Sequence, residues 1–385
     1  MTTSRTTLGA GYFWYFAATG VFLPYWPVYL RAEGFSASGI GLMMAVFYAC
    51  RTVGAPAYAA VADATGSRIV LLRFAPLGAA LCAAVFHFSA NPWVTGIALG
   101  FYATLFTAIV ALYDAQVLDE LGSASASYGR LRLWGSLGFA ASALAGAPLF
   151  DRIGVGAVPA TLVVLLALTF IVYLRIDAVG RGGRPAAVAL WPWLRDRRVR
   201  AFLLICLLML MSHGPFYSFL SLYLLQHGHT PQFVGVMWAW GVVCEVLVFL
   251  AAPWILARFR PRTIVLTALA ATALRWFALA AWPGLAVVVV LTQTLHLASF
   301  GLFHLWSVST ARRLFPAAAA VRAQALHSAV GYGLGGAIGA YGSGLLWDGW
   351  GPQAPYVAAG FVVIFALLVA VAATGPDPGA ESPAT

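Results

Sequence analysis

Long apolar runs follow one another along almost the whole chain, separated by short polar turns. They lie at 8–30, 37–62, 69–88, 92–117, 128–150 and 154–174, then at 201–225, 231–256, 262–282, 284–311, 321–346 and 351–373. Each is close to the ~20 residues a helix needs to cross the hydrocarbon layer of a bilayer. Membrane β-strands would instead read as segments of about ten residues with alternating polarity. The pattern predicts an all-α membrane protein with about twelve transmembrane helices. The longest polar interruption, 175–200, is rich in Gly, Pro and Arg and splits the runs six and six. This predicts an N-terminal bundle at 1–174, a linker at 175–200 and a C-terminal bundle at 201–374, with a disordered tail at 375–385.

The two halves resemble each other. An offset of 194 residues pairs Gly20 with Gly214, Phe22 with Phe216, Tyr29 with Tyr223 and Leu30 with Leu224. It also pairs Gly34 with Gly228, Gly41 with Gly235 and Arg68 with Arg262, without gaps over about fifty residues. Gly138, Ser142 and Gly146 form a small-residue stripe, and Gly331, Gly335 and Gly339 form another. Such stripes let helix backbones approach closely. A parallel repeat of two bundles fits a transporter that exposes a site between its halves to each side of the membrane in turn.

Composition agrees with a membrane setting: 62% of residues are hydrophobic and 9% charged, with a mean hydropathy of +0.87. The net charge of +10 comes from arginine alone, because the chain has no lysine. Nucleic-acid binding does not follow, since the arginines concentrate in loops of one parity. Placing the N-terminus inside puts Arg5, Arg68, Arg73, Arg130, the 175–200 group, Arg258, Arg260, Arg262, Arg312, Arg313 and Arg322 at the cytoplasmic face. Only Arg31 and Arg152 then fall in outer loops. This bias predicts an inner-membrane protein with both termini cytoplasmic. The four cysteines lie inside apolar runs, which predicts no structural disulfide.

Five charged groups stand well inside the runs: Arg51, Asp114, Arg132, Glu245 and Arg275. Each costs about 2.5–3.5 kcal/mol to insert, so each is expected to pair or to line water. Asp114 and Arg132 flank one turn at similar depth, which fits an ion pair in a substrate site and equally a place at the cytoplasmic interface. Arg51 and Glu245 are partners under the 194-residue offset, so they are expected at equal depth around a central space, or else as a pair joining two helices. Arg275 is expected level with His296, on a polar-aromatic face made by Gln293, His296, Ser299, Phe300 and His304.

Tyr12 to Phe16, Trp191 and Trp193 read as interfacial belts. Tyr25, Trp26, Tyr29 and Trp240 read as residues able to cradle a ring near the central space. Among motifs, HExxH, Walker A and GxSxG are missing, so metalloprotease, ATPase and hydrolase chemistry lack support. A transporter without cofactor or metal is expected, with a small-molecule substrate, protons and the lipid bilayer as its partners, acting as a monomer.

At these residues the sequence resembles the major facilitator superfamily, and most its phenylpropionate permease branch, relatives of lactose permease. Gly20-Val-Phe-Leu-Pro-Tyr-Trp-Pro-Val-Tyr-Leu30 is similar to the first helix of that group. Asp63-Ala-Thr-Gly66-Ser-Arg68 resembles the superfamily's gating motif between helices 2 and 3, with Ala59 where a glycine is usual. Tyr128 to Phe139 is the most specific piece; Gly241–Val246, Leu274–Trp276, Thr294–His296 and Gln324–Ala329 also match. The resemblance implies a proton-coupled symporter, with Asp114 and Arg132 in the substrate site and Arg275 and His296 in proton coupling. Ser299 stands where lactose permease carries its proton-binding carboxylate, so proton binding has to move elsewhere or be absent. Glu245 is the expected carrier. The excess of buried arginine favours an anion over a neutral sugar or nucleoside, and with the resemblance the expected substrate is an aromatic carboxylate; a compound for export is the further alternative.

Overall fold

The computed structural model describes residues 3–122, 127–178, 191–316 and 319–373, without the side chains of 55, 59, 63, 191, 320 and 321. The tail expected at 375–385, and 179–190 of the expected linker, lie outside the described residues. Within them the chain is helical and has no strand. The first six membrane helices are α1 (Arg5–Ala32), α2 (Ala37–Thr65), α3 (Arg68–Phe88), α4 (Pro92–Leu121), α5 (Tyr128–Ile153) and α6 (Val158–Tyr173). The second six are α7 (Arg197–Gln226), α8 (Pro231–Leu250), α9 (Pro261–Ala281), α10 (Ala286–Leu314), α11 (320–350) and α12 (Ala354–Ala373). Several helices outrun the apolar stretches, because polar residues at their ends keep the helical backbone: α2 runs on to Thr65 and α4 to Leu121. α8 ends earlier than expected, and a short helix, Ala252–Arg258, takes over with Pro253 at its start.

Side chains start the helices where the sequence supplies them. Ser36 accepts the N–H of Gly39, Asn91 those of Trp93 and Val94, and Thr230 that of Phe233. These contacts satisfy donors that a helix start leaves open. Gly34 and Gly228, partners in the repeat, end α1 and α7 with φ of +88° and +86°, a region that disfavours residues with a Cβ.

Other repeat partners also do matching work. Tyr29 donates its hydroxyl to Phe86 O, and Tyr223 donates to Leu279 O. Gly20 lies against the α5 backbone at Phe139, and Gly214 against the α11 backbone at Gly339. The stripes seat α5 on α1, with Gly138 against Phe13, and α11 on α7, with Gly335 and Gly339 against Leu207 and Met211.

The halves meet along two seams that the repeat also relates. In one, Gly41 of α2 packs against Ala340 of α11; in the other, Gly235 of α8 packs against Ala143 of α5. The α2–α11 seam runs from Ala37 against Gly344 down to Thr52 against Gly333. It therefore closes the face that carries loops 33–36 and 351–353, called the first-loop face below.

Candidate functional site

The ionisable residues of the second half converge on a single histidine. Arg275 of α9 donates from one terminal nitrogen to His296 Nδ1 and to Ser299 Oγ, both at 2.8 Å. Its other terminal nitrogen donates to Gln293 Oε1 at 3.2 Å. His296 Nε2 lies 2.7 Å from Glu245 Oε1 on α8. Arginine only donates, so Nδ1 has to accept, and the proton of a neutral His296 sits on Nε2, facing Glu245. The guanidinium of Arg275 is fully buried, its centre 4.4 Å from the Phe216 ring and 4.5 Å from the Trp276 ring. Burying this charge is tolerable because polar partners and ring faces surround it.

Local backbone shape helps to place these groups. α10 widens into a π turn over Leu297–Leu302, immediately after His296, and α11 does the same over Ala329–Gly335. Such turns re-aim the side chains that follow and recur at functional sites. Phe300 stacks on both histidines, at 5.5 Å from His296 and 5.9 Å from His304. His304 Nδ1 lies 3.2 Å from the hydroxyl of Tyr332, which stands on the π turn of α11.

The first half presents a second group. Asp114 of α4 accepts the Tyr12 hydroxyl at 2.6 Å. Arg132 of α5 lies over the Phe16 ring at 4.0 Å and over the Tyr12 ring at 5.6 Å. The two ions are not in direct contact within 4.0 Å; Tyr12 stands between them. Tyr12 is completely buried, so its expected place in an interfacial belt is wrong: its hydroxyl serves a buried carboxylate instead. Arg51 of α2 reaches across the halves, its guanidinium centre 5.7 Å from the Tyr332 ring. Arg132 lies within electrostatic reach of Glu245 and His304 on the opposite half. All of Arg51, Asp114, Arg132, Glu245, His304 and Tyr332 are partly exposed.

Four residues expected near a ring-binding space lie elsewhere. Tyr25 is buried and donates to Ala143 O at 2.5 Å, so it ties α1 to α5. Trp26 is fully buried, stacked with Phe22 and Tyr29 and tilted on Phe86. Tyr29 spends its hydroxyl on Phe86 O. Trp240 falls on the exposed stripe Val236, Trp240, Val243, Leu247 and Leu250 of α8, which is the lipid-facing side of that helix. Its indole donates to Thr294 at 2.9 Å. Of the gating residues, Gly66 ends α2 at φ +64°, and Arg68 donates to Asp119 at 2.6 Å and Gln116 at 3.2 Å. The side chain of Asp63 lies outside the described ones.

Sequence reasoning missed Tyr12, Tyr332 and His213. Tyr12 and Phe16 share a helix face at a spacing of four, a signal that the belt reading hid. His213 stands before Gly214-Pro215, where α7 breaks, and the break was legible as a Gly-Pro pair.

A family model described as the MFS_1 like family matches residues 6–358. The chain belongs to that family. It is a multi-pass membrane transporter of a small molecule, and not an enzyme. The transporter is 30% identical over 353 residues to a probable 3-phenylpropionic acid transporter of Escherichia coli (strain K12), covering 90% of this chain and 92% of that one. It is 29% identical over 371 residues to a maltose permease of Geobacillus stearothermophilus, covering 95% and 93%. Its fold matches the crystal structure of the nucleoside transporter NupG with a TM-score of 0.84 at 15% identity, over 97% and 99% of the two chains. The human organic anion transporter MFSD10 matches with a TM-score of 0.65 at 18% identity, over 95% and 98%.

Proposed function

We propose that the transporter imports a small aromatic carboxylate together with protons, by alternating access between its two six-helix halves. The observation that carries this reading is the state of Arg51 and Arg132. Their guanidiniums rest on aromatic rings, partly exposed, with no carboxylate among the described residues within 4.0 Å of either. A substrate carboxylate supplies the missing partner through a two-pronged hydrogen bond, while the partly exposed Phe16 and Tyr332 offer ring faces to its aromatic part. The relative named for 3-phenylpropionic acid points the same way.

In this reading Asp114 holds Tyr12 beside Arg132, and Glu245, His296 and Arg275 couple the proton. A proton arriving at His296 Nδ1 displaces Arg275, because two N–H groups cannot face each other there. Proton occupancy and the position of Arg275 are therefore linked. The first-loop face is the outer one, so the seam closed by α2 and α11 belongs to an inward-facing state. Asp63, Gly66 and Arg68 act at the opposite, cytoplasmic face. Both termini are cytoplasmic, and the protein works as a monomer in the inner membrane.

Competition for binding to the purified transporter tests the substrate class. 3-Phenylpropionate is expected to bind at least tenfold tighter than its amide, because the amide lacks the charge that two arginines await. The maltose permease relative favours a second reading, a neutral sugar. Equal binding of acid and amide, or binding of maltose in preference to both, supports that reading and overturns the first.

A further inference from the structure

His213 lies in the break of α7, 1% exposed, and commits only one of its two ring nitrogens. Nδ1 sits 2.9 Å from Met209 O. A carbonyl only accepts, so Nδ1 carries a hydrogen, and in neutral His213 Nε2 is a bare acceptor. That Nε2 is buried and has no hydrogen-bond partner among the described residues. A buried polar atom without a partner is costly and asks for an explanation. Two donors of the Arg275 network have the complementary need: Arg275 Nε and Gln293 Nε2 are likewise buried and without a hydrogen-bond partner among the described residues. The His213 ring is 6.3 Å from the His296 ring and 5.0 Å from Trp276, on which the Arg275 guanidinium rests.

We propose that His213 is a proton-handling residue of this network, its Nε2 joined through one bridging water to the Arg275–His296–Glu245 chain. The inference rests on the proton-coupled reading above. A separation of about 6 Å between ring centres suits one water with hydrogen bonds of ~2.8 Å on either side. His213 Nε2, Arg275 Nε and Gln293 Nε2 are the buried polar atoms that such a water would join.

The transfer balances. When Arg275 withdraws from His296 Nδ1, protonated His213 gives its Nε2 proton to the water, and the water passes one of its own to His296 Nδ1. His296 then releases its Nε2 proton to the Glu245 carboxylate, so one proton has moved from His213 to Glu245 and the water is regenerated. The charged and titratable groups around His213 are Arg275 from α9, His296 from α10, Glu245 from α8 beyond it, Tyr217 on α7, and Tyr356 of α12, which packs on Trp276.

Two substitutions separate this role from support of the helix break. His213→Asn keeps an N–H for Met209 O and removes Nε2, whereas His213→Phe removes both. Both are read in proteoliposomes, as accumulation of labelled 3-phenylpropionate driven by a pH gradient and as exchange of the same compound without one. Both variants are expected to lose accumulation more than tenfold, to keep exchange within about twofold, and to flatten the pH profile of accumulation. Accumulation restored by Asn but not by Phe, or accumulation and exchange falling together, overturns the proposal in favour of a structural role. A wild-type protein that exchanges the acid but ignores the pH gradient overturns the proton-coupled reading and this inference with it. A wild-type protein that responds to the gradient alongside unimpaired variants overturns His213 alone.

Discussion

Asp348, near the end of α11, caps the first turn of α2 by accepting the backbone N–H of Ser38 at 2.7 Å. Its other oxygen accepts from Ala37 at 3.1 Å. A carboxylate at a helix N-terminus gains from both the open donors and the dipole, and here the two elements belong to different halves. Removing the charge in Asp348→Ala is expected to cost the closed first-loop face about 0.5–1 kcal/mol, or roughly two- to fivefold in the closed-to-open ratio, because the carboxylate is exposed. Spin labels at Asn91→Cys and Gly349→Cys, in a background without the native cysteines, report it as a population shifted to longer distances. An unchanged distance distribution contradicts the cap's part in closure.

The same seam ends where Thr52 Oγ1 occupies the space that a Cβ on Gly333 would need. Gly333→Ala is therefore expected to hold the seam apart and to slow transport at least tenfold. Thr52→Ala added to it should recover part of that loss, because the obstructing hydroxyl is gone while a smaller Cβ contact remains. Transport rates of the single and double variants decide this, with equal rates counting against the steric account.

Arg132 rests with its guanidinium centre 4.0 Å above Phe16. Lysine keeps the charge but not the flat fork that stacks and grips a carboxylate with two hydrogen bonds. Arg132→Lys is expected to bind 3-phenylpropionate more than tenfold weaker while expressing normally, as calorimetry on the purified variant will report. Wild-type affinity would return this arginine to a role at the membrane interface.

The architecture was more legible than the site, and for a physical reason. Helix number follows from bilayer thickness, and the repeat is written in glycines whose contacts recur: Gly34 with Gly228, Gly41 with Gly235. Arg275 and His296 were placed level by counting along two helices, and they touch at 2.8 Å. The link from His296 to Glu245 was not legible, since the repeat relates Glu245 to Arg51, at equal depth around a central space or paired with it, and says nothing of α10. It depends on the rotation of α8 against α10, which no single-helix pattern encodes. Trp26 and Trp240 failed for the same reason. An aromatic residue reads alike whether it fills a core, faces lipid or lines a site, and only packing tells these apart.

Glu245 is the only carboxylate among the described residues that contacts His296. If it carries the proton, Glu245→Gln mimics the protonated form and keeps the shape of the site. The variant is expected to exchange 3-phenylpropionate at close to the wild-type rate and to lose uphill accumulation driven by pH. Unimpaired accumulation would move the carrier role to Asp114 or His296.

The most direct test of the account is uptake by the wild-type transporter in proteoliposomes with a defined pH on each side. With the outside acidic, labelled 3-phenylpropionate is expected to accumulate above its equilibrium level. Collapsing the gradient with a protonophore should release it, and protein-free vesicles correct for passive entry of the neutral acid. Uptake that merely equilibrates, identically with and without the gradient, would contradict proton-coupled import.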